Sequence, residues 1–179
     1  MAKKYKHFGK PIIRAHTLPP PRGLKVCNVV LDVGAGLRPM TMYRPARHIC
    51  VEPYGPYCKV LRTAGYEVLQ GTAEHVLSTV LEFEPKIDAI FLLDVIEHME
   101  KDVGRNVIEL AKQVAREQIV LYTPVGFMKQ TEDNWGMGGH EWQTHRSGWQ
   151  PDEFPGWHIT LRSRRAPKGF IALWNNPTR

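Results

Sequence analysis

The chain is poor in cysteine, in long apolar runs and, at both ends, in acid. Its three cysteines (Cys27, Cys50, Cys58) are odd in number and form no CxxC pair. A disulfide framework or a zinc knuckle is not expected of them, and they suit a reducing cytosol. No apolar run approaches the ~18–20 residues of a membrane span, so no membrane partner is expected. The start, MAKKYKHFGK, has bases but lacks the apolar stretch of a secretory signal. A cytoplasmic location is the expectation. Repeats and low-complexity tracts are missing apart from Pro19-Pro20-Pro21.

The missing acid decides how the net charge of +6 is read. Residues 1–25 hold seven Lys/Arg and no acid, and residues 159–179 hold five and no acid. The other 12 bases share residues 26–158 with all 18 acids, so that stretch is net −6. The basic charge belongs to the two ends. A uniformly basic nucleic-acid binder is not favoured, although an anionic partner held by the ends stays open.

What is present is one globular domain: 179 residues, 42% hydrophobic and 23% charged. Residues 1–25 show no clear period and read as a basic arm; residues 26–179 read as the domain. Apolar runs at NVVLDVG (28–34), HICVEP (48–53), EVLQG (67–71), IDAIFLLDV (87–95) and QIVLYTP (118–124) predict strands, the fourth of them central. Between them, 57–65, 72–83 and 103–117 have helical spacing. PDEFPGW (151–157) reads as a short helix start. HITLRSRR (158–165) and GFIALWN (169–175) alternate like a hairpin joined by Ala-Pro-Lys. The fold class is therefore α/β: a doubly wound, mostly parallel, seven-stranded sheet, helices on both faces, with a C-terminal antiparallel hairpin.

The first strand ends Asp32-Val33-Gly34-Ala35-Gly36. Ligands of open α/β sheets bind at the carboxyl ends of the strands, and glycines there let the backbone approach them. Glu52 ends the second strand, 20 positions after Asp32, where an acid is suited to ribose hydroxyls. A dinucleotide fingerprint would need a third glycine, and Pro39 stands in that place. Pro39 and Pro45 also leave little room for a long phosphate-binding helix. Asp32 before the glycines would repel a pyrophosphate and attract an ammonium or sulfonium. The pattern favours a cationic, phosphate-free adenosine ligand such as S-adenosylmethionine.

With VLDVGAG (30–36), CVEP (50–53), GTAEHV (71–76), LLDVIEHM (92–99) and IVLYTPVG (119–126), the chain resembles the class I S-adenosylmethionine-dependent methyltransferases, over about residues 28–176. The resemblance implies a Rossmann-like seven-stranded sheet with a reversed last hairpin. It also implies that Asp32, Gly34 and Gly36 hold the methionine part and Glu52 the ribose hydroxyls. Pro53 and Tyr54 would pack on adenine, with Ala73 beside the base. Leu93, Asp94 and His98 would lie at the methionine end. Thr72 stands where the family often has an Asp that contacts the adenine amino group.

The acceptor is sought in the long segment after the fifth strand, 127–150, a substrate-side loop or lid with glycines at 136, 138 and 139. Four of the five tryptophans lie between Trp135 and Trp157. HEWQTHRSGW (140–149) resembles an H-x-S-G-W segment that shapes the acceptor side in a branch of the family. His140 and His145 are the candidate catalytic bases; each also has a structural reading in which it only orders the loop. Trp142, Trp149 and Trp157 read equally as core plugs. His140, Glu141 and His145 match no zinc spacing, and no metal site is expected. The expected reaction is direct in-line methyl transfer to a small-molecule or glycan-like O or N nucleophile. The alternatives are an RNA or protein acceptor held by the basic ends, or a silent cofactor-binding scaffold.

Overall fold

The computed structural model describes residue 13 and residues 18–83, 86–162 and 169–177. Most of the basic arm and the turn of the last hairpin lie outside these residues. The strands are β1 (Val29–Val33), β2 (Arg47–Glu52), β3 (Glu67–Gln70), β4 (Ala89–Leu93), β5 (Gln118–Pro124), β6 (His158–Arg162) and β7 (Gly169–Asn175). They form one sheet in the order β3-β2-β1-β4-β5-β7-β6. The first five are mutually parallel, β7 runs antiparallel to β5, and β6 antiparallel to β7. The order reverses between β1 and β4, which opens the crevice where such sheets bind ligands. β4 is central and every residue in it is buried, as its unbroken apolar run predicts.

The helices are α1 (Gly55–Thr63), α2 (Ala73–Glu82), α3 (Lys101–Val114) and the single turn α4 (His140–Gln143). α2 and α3 pack Leu77, Val107 and Ala111 against Leu31, Ile49, Ile90 and Leu121, one face of the sheet. Leu61 of α1 meets Cys50 on the other face. Among the described residues that second face is not otherwise helical. Cys27, Met40, Leu24, Met42 and Tyr43 cover Val30, Phe91, Val120 and Ile171 instead. The crossover from β1 to β2 is thus an irregular segment, in keeping with its two prolines. α3 starts two residues earlier and ends three residues earlier than its apolar stripe suggested; Ala115 leaves it in extended conformation to enter β5. The short helix expected at 151–157 is one 3₁₀ turn, Pro151–Glu153, with Gln150 and Glu153 forming a reciprocal capping box.

Candidate cofactor and acceptor site

At the carboxyl ends of β1, β2, β4 and β5 lies a cavity of about 830 Å³. Gly34 and Gly36 line it, with φ of +69° and +53°. A Cβ on Gly34 would come within 2.7 Å of Val95, so only glycine makes this turn. The turn's amides are already committed. Gly34 and Ala35 donate to the Val51 carbonyl, and Gly36 donates to Glu52 Oε2 at 2.9 Å. A pyrophosphate site needs such amides free. Here they hold the acid at the end of β2 instead.

Glu52 is 3% exposed, lines the cavity, and accepts from Tyr54 N through its other oxygen at 2.9 Å. Burial pushes its carboxyl up to about 7, opposed by the two backbone donors. An ionised carboxylate takes roughly four hydrogen bonds, so positions remain for hydroxyl donors in the cavity. Pro53, Thr72, Ala73, Leu93, Asp94 and His98 line the same space. Thr72 is also the N-cap of α2, its Oγ accepting from His75 N.

Three residues read as site residues lie elsewhere. Asp32 shares the parity of Val30 along β1, so it faces the sheet side covered by Met40. Its Oδ2 accepts from Met40 N at 2.6 Å and pairs with His48 Nε2 at 2.9 Å. It therefore organises the β1–β2 connection rather than facing the cavity. Tyr54 also stays outside; its hydroxyl donates to the Met137 carbonyl at 2.7 Å and ties down the loop. His140 opens α4 on the exposed surface, beyond the cavity lining. The acids that do face the cavity are Glu52, Glu74, Asp94, Glu100 and Glu141, against Arg38 and Arg146. The space remains suited to a cation without Asp32.

The 127–150 segment closes one wall through Met128, Gln130, Trp135, Trp142, His145 and Arg146. Asp133 is its organiser: Oδ2 accepts from the amides of Met137 and Gly138, and Oδ1 from Trp135 N and Gln143 Nε2. These donors hold its carboxyl below the ordinary range despite some burial. Gly136 and Gly138 have positive φ, and a Cβ on Gly139 would lie 2.3 Å from Tyr57 Oη. The glycines thus permit a tight fixed path here. Arg38 lies 5.2 Å over the Trp135 ring and joins the loop to the β1 turn.

Each residue of His145-Arg146-Ser147-Gly148-Trp149 has a place. The amides of Arg146 and Ser147 donate to the Glu97 carbonyl, and Ser147 Oγ donates to the Ile96 carbonyl. Trp149 is buried, donates to Ser147 Oγ, and fills the space that a Cβ on Gly104 of α3 would need, 2.6 Å from Trp149 Cζ2. Gly148 is forced by the Phe127 backbone, 2.3 Å from where its Cβ would be. Trp149 and Trp157 are core residues, whereas Trp142 is 42% exposed and lines the cavity. These hydrogen bonds set His145 against His98, ring centroids 4.8 Å apart. Burial holds both imidazoles below their usual range, His98 at about 4, so both are neutral near pH 7.

Sequence reasoning passed over two participants. Glu97, in the 3₁₀ turn Ile96–His98, is 2% exposed and accepts from Thr123 Oγ at 3.0 Å. Burial, with Asp94 beside it, raises its carboxyl well above the usual range. Asp94 itself has φ of +56°, a left-handed conformation rare outside glycine. An acid preceding His98 in a tight turn was the available signal for Glu97. Asp133 had none, since its partners, loop amides with the side chains of Gln143 and Tyr57, meet it only along the folded path of the loop.

No family model matches the sequence, and no curated protein matches it. Solved structures do. A SAM-dependent methyltransferase from Archaeoglobus fulgidus superposes with a TM-score of 0.56 at 12% identity, covering 83% of this chain and 86% of that one. The magnesium protoporphyrin IX methyltransferase from Synechocystis PCC 6803, solved with bound SAM, gives 0.55 at 11% identity over 82% of this chain and 69% of that one. The chain has the fold of these methyltransferases. The plantazolicin methyltransferase BamL, in complex with a desmethyl analogue and SAH, shares the methyltransferase fold at a TM-score of 0.54 and 11% identity, over 83% of this chain and 77% of that one. In this chain the methyltransferase fold carries its cavity at the ends of β1, β2, β4 and β5.

Proposed function

We propose that this protein transfers a methyl group from S-adenosylmethionine to a small-molecule or glycan-like O or N nucleophile. The observation that carries the reading is the β1 turn: its amides are consumed by Val51 and Glu52, while the Glu52 carboxylate remains in the cavity. That arrangement suits an adenosine ribose without phosphate. The residues fit the cofactor. Glu52 accepts the ribose hydroxyls, Pro53, Thr72 and Ala73 bound the base, and Gly34, Gly36, Leu93 and Asp94 receive the methionine part. Asp94 takes the ammonium in place of Asp32. When bound, S-adenosylmethionine supplies an electrophilic methyl group, and the protein supplies position and desolvation.

The acceptor side is the wall of Trp135, Trp142, His145 and Arg146. Of the two candidate bases, only His145 lines the cavity. Its Nδ1 is bound to the Met128 carbonyl at 2.7 Å, which leaves Nε2 to accept a proton from an acceptor. A second reading, a macromolecular acceptor, is favoured by one contact. Arg162 of the last hairpin donates to the Pro19 carbonyl at 3.1 Å, next to Leu18, which lines the cavity. Calorimetric titration with S-adenosylmethionine tests the main reading. Binding that weakens in Glu52→Ala is expected, and no heat at high cofactor concentration would sink it. Binding to bulk RNA that weakens with salt would favour the second reading.

A further inference from the structure

We propose that Glu97, His98 and His145 form a binding site for one divalent first-row transition-metal ion, Glu97 beneath the cavity wall and the two histidines in its lining. Each of the three offers one ligand atom, and these atoms lie within 4.8 Å of one another. Ligands about 2.1 Å from a shared ion stand up to about 4.2 Å apart when opposite. A small rotation of the side chains closes the difference. Two imidazoles and one carboxylate, with open positions, is a donor set that selects ions of the manganese-to-zinc series.

Three features mark the cluster as built for a ligand. Glu97 Oε1 is buried and meets no donor at hydrogen-bonding geometry, only the neighbouring Asp94 carboxyl, while Oε2 is held by Thr123. A buried carboxylate oxygen left empty is costly unless something binds it. Next, each histidine has its Nδ1 within hydrogen-bond distance of a backbone carbonyl, Thr144 for His98 at 3.3 Å and Met128 for His145 at 2.7 Å. Such bonds fix the Nδ1–H tautomer and present Nε2 as the ligand, the usual outer support of metal-bound histidine. Last, the partners come from segments 47 residues apart, locked together by the Arg146, Ser147 and Trp149 hydrogen bonds. The backbone positions are thus set before any ion arrives, and only the side chains rotate to meet it.

The second cluster of possible ligands among the described residues, Asp32, His48 and Cys50, differs in this respect. Asp32 Oδ2 is already shared between Met40 N and His48 Nε2. It has no empty acceptor of the Glu97 kind.

His98 and His145 line the cavity, so open coordination positions face the acceptor space. With the ion bound, His145 Nε2 is a ligand and no longer the base, and an acceptor hydroxyl taking an open position would release its proton to water more readily. This role, though not the binding of the ion, rests on the proposed methyl transfer.

The test is titration of metal-free protein with Mn²⁺, followed by loss of the free-ion paramagnetic signal, and with Co²⁺, followed by its visible absorption. One site per chain is expected. His145→Ala and Glu97→Gln should each weaken it by at least about tenfold, while His158→Ala on exposed β6 leaves it unchanged. Circular dichroism confirms folding, and His145, on the loop, gives the decisive variant should Glu97→Gln unfold. No binding at millimolar metal, or equal affinity in His145→Ala, overturns the proposal. Binding that is lost in His48→Ala instead also overturns it. Calorimetry with S-adenosylmethionine on the same samples separates the two readings: metal without cofactor binding leaves the site standing and removes its role in methyl transfer.

Discussion

Replacing Glu52 by glutamine separates two opposite effects of one carboxyl group. Glu52 is 3% exposed, and burial moves its titration from 4.5 to about 7. Below the lower value the group is protonated in both folded and unfolded chains and costs nothing. Between the two, the unfolded chain has released a proton that the folded chain still holds, so stability falls as pH rises. Above about 7 the loss is complete and amounts to about 3 kcal/mol, at 1.36 kcal/mol per tenfold change in proton affinity. Glutamine has no such proton. The stability difference between the wild type and Glu52→Gln should therefore drift by about 3 kcal/mol in favour of the variant from acid to mildly alkaline pH. Other buried acids, Glu97 among them, are common to both proteins and cancel. Urea unfolding across this range measures the drift. Cofactor affinity should move the other way, because ribose hydroxyls donate to the ionised form. Calorimetry should show S-adenosylmethionine binding more tightly as pH rises through about 7 in the wild type, and weak binding without that rise in the variant, the Asp94 carboxyl at about 6 adding a change common to both. A pH-independent stability difference would refute the account of Glu52 as a buried, desolvated acid. A flat affinity in the wild type would refute its place at the ribose.

Other expectations concern the scaffold of the site. Gly104→Ala puts a Cβ 2.6 Å from Trp149 Cζ2, and overpacking of this kind costs about 1–3 kcal/mol; thermal unfolding reads it, and an unchanged midpoint would count against the Trp149 plug. Trp149→Ala should cost more, about 3–5 kcal/mol, through the cavity it leaves. Asp133→Ala frees several loop amides at once; faster proteolytic cleavage within 127–150, with the rest of the chain intact, is expected. Thr72→Ala removes the α2 N-cap and should lower stability by about 1 kcal/mol in denaturant titration.

The strands and the methyltransferase resemblance were legible because they rest on short-range patterns. Apolar runs of five to seven residues bury on both sides wherever helices or loops can cover them, and β1, β4 and β5 fall where those runs stand. The β1 glycines were legible for a similar reason, since a left-handed turn excludes side chains locally. Pro39 already favoured a phosphate-free ligand, and the committed amides of Gly34, Ala35 and Gly36 point the same way.

Other features needed distance. Asp32 reads as a site acid by position alone, but the two-residue period of β1 turns it to the face of Met40 and His48. His140 and His145 look alike in sequence; the hydrogen bonds of the segment after His145 to Glu97 and Ile96 bring only the second to the cavity. Glu97 had no role assigned from the sequence and is a buried acid with one oxygen that meets no donor. The sequence by itself determined which segments become strands and where the chain must turn. Only the tertiary structure decided which acids and histidines meet. Strand and turn propensities act over a few residues, whereas the contact of His98 with His145 is made by two segments that approach only once β4 and β5 have paired.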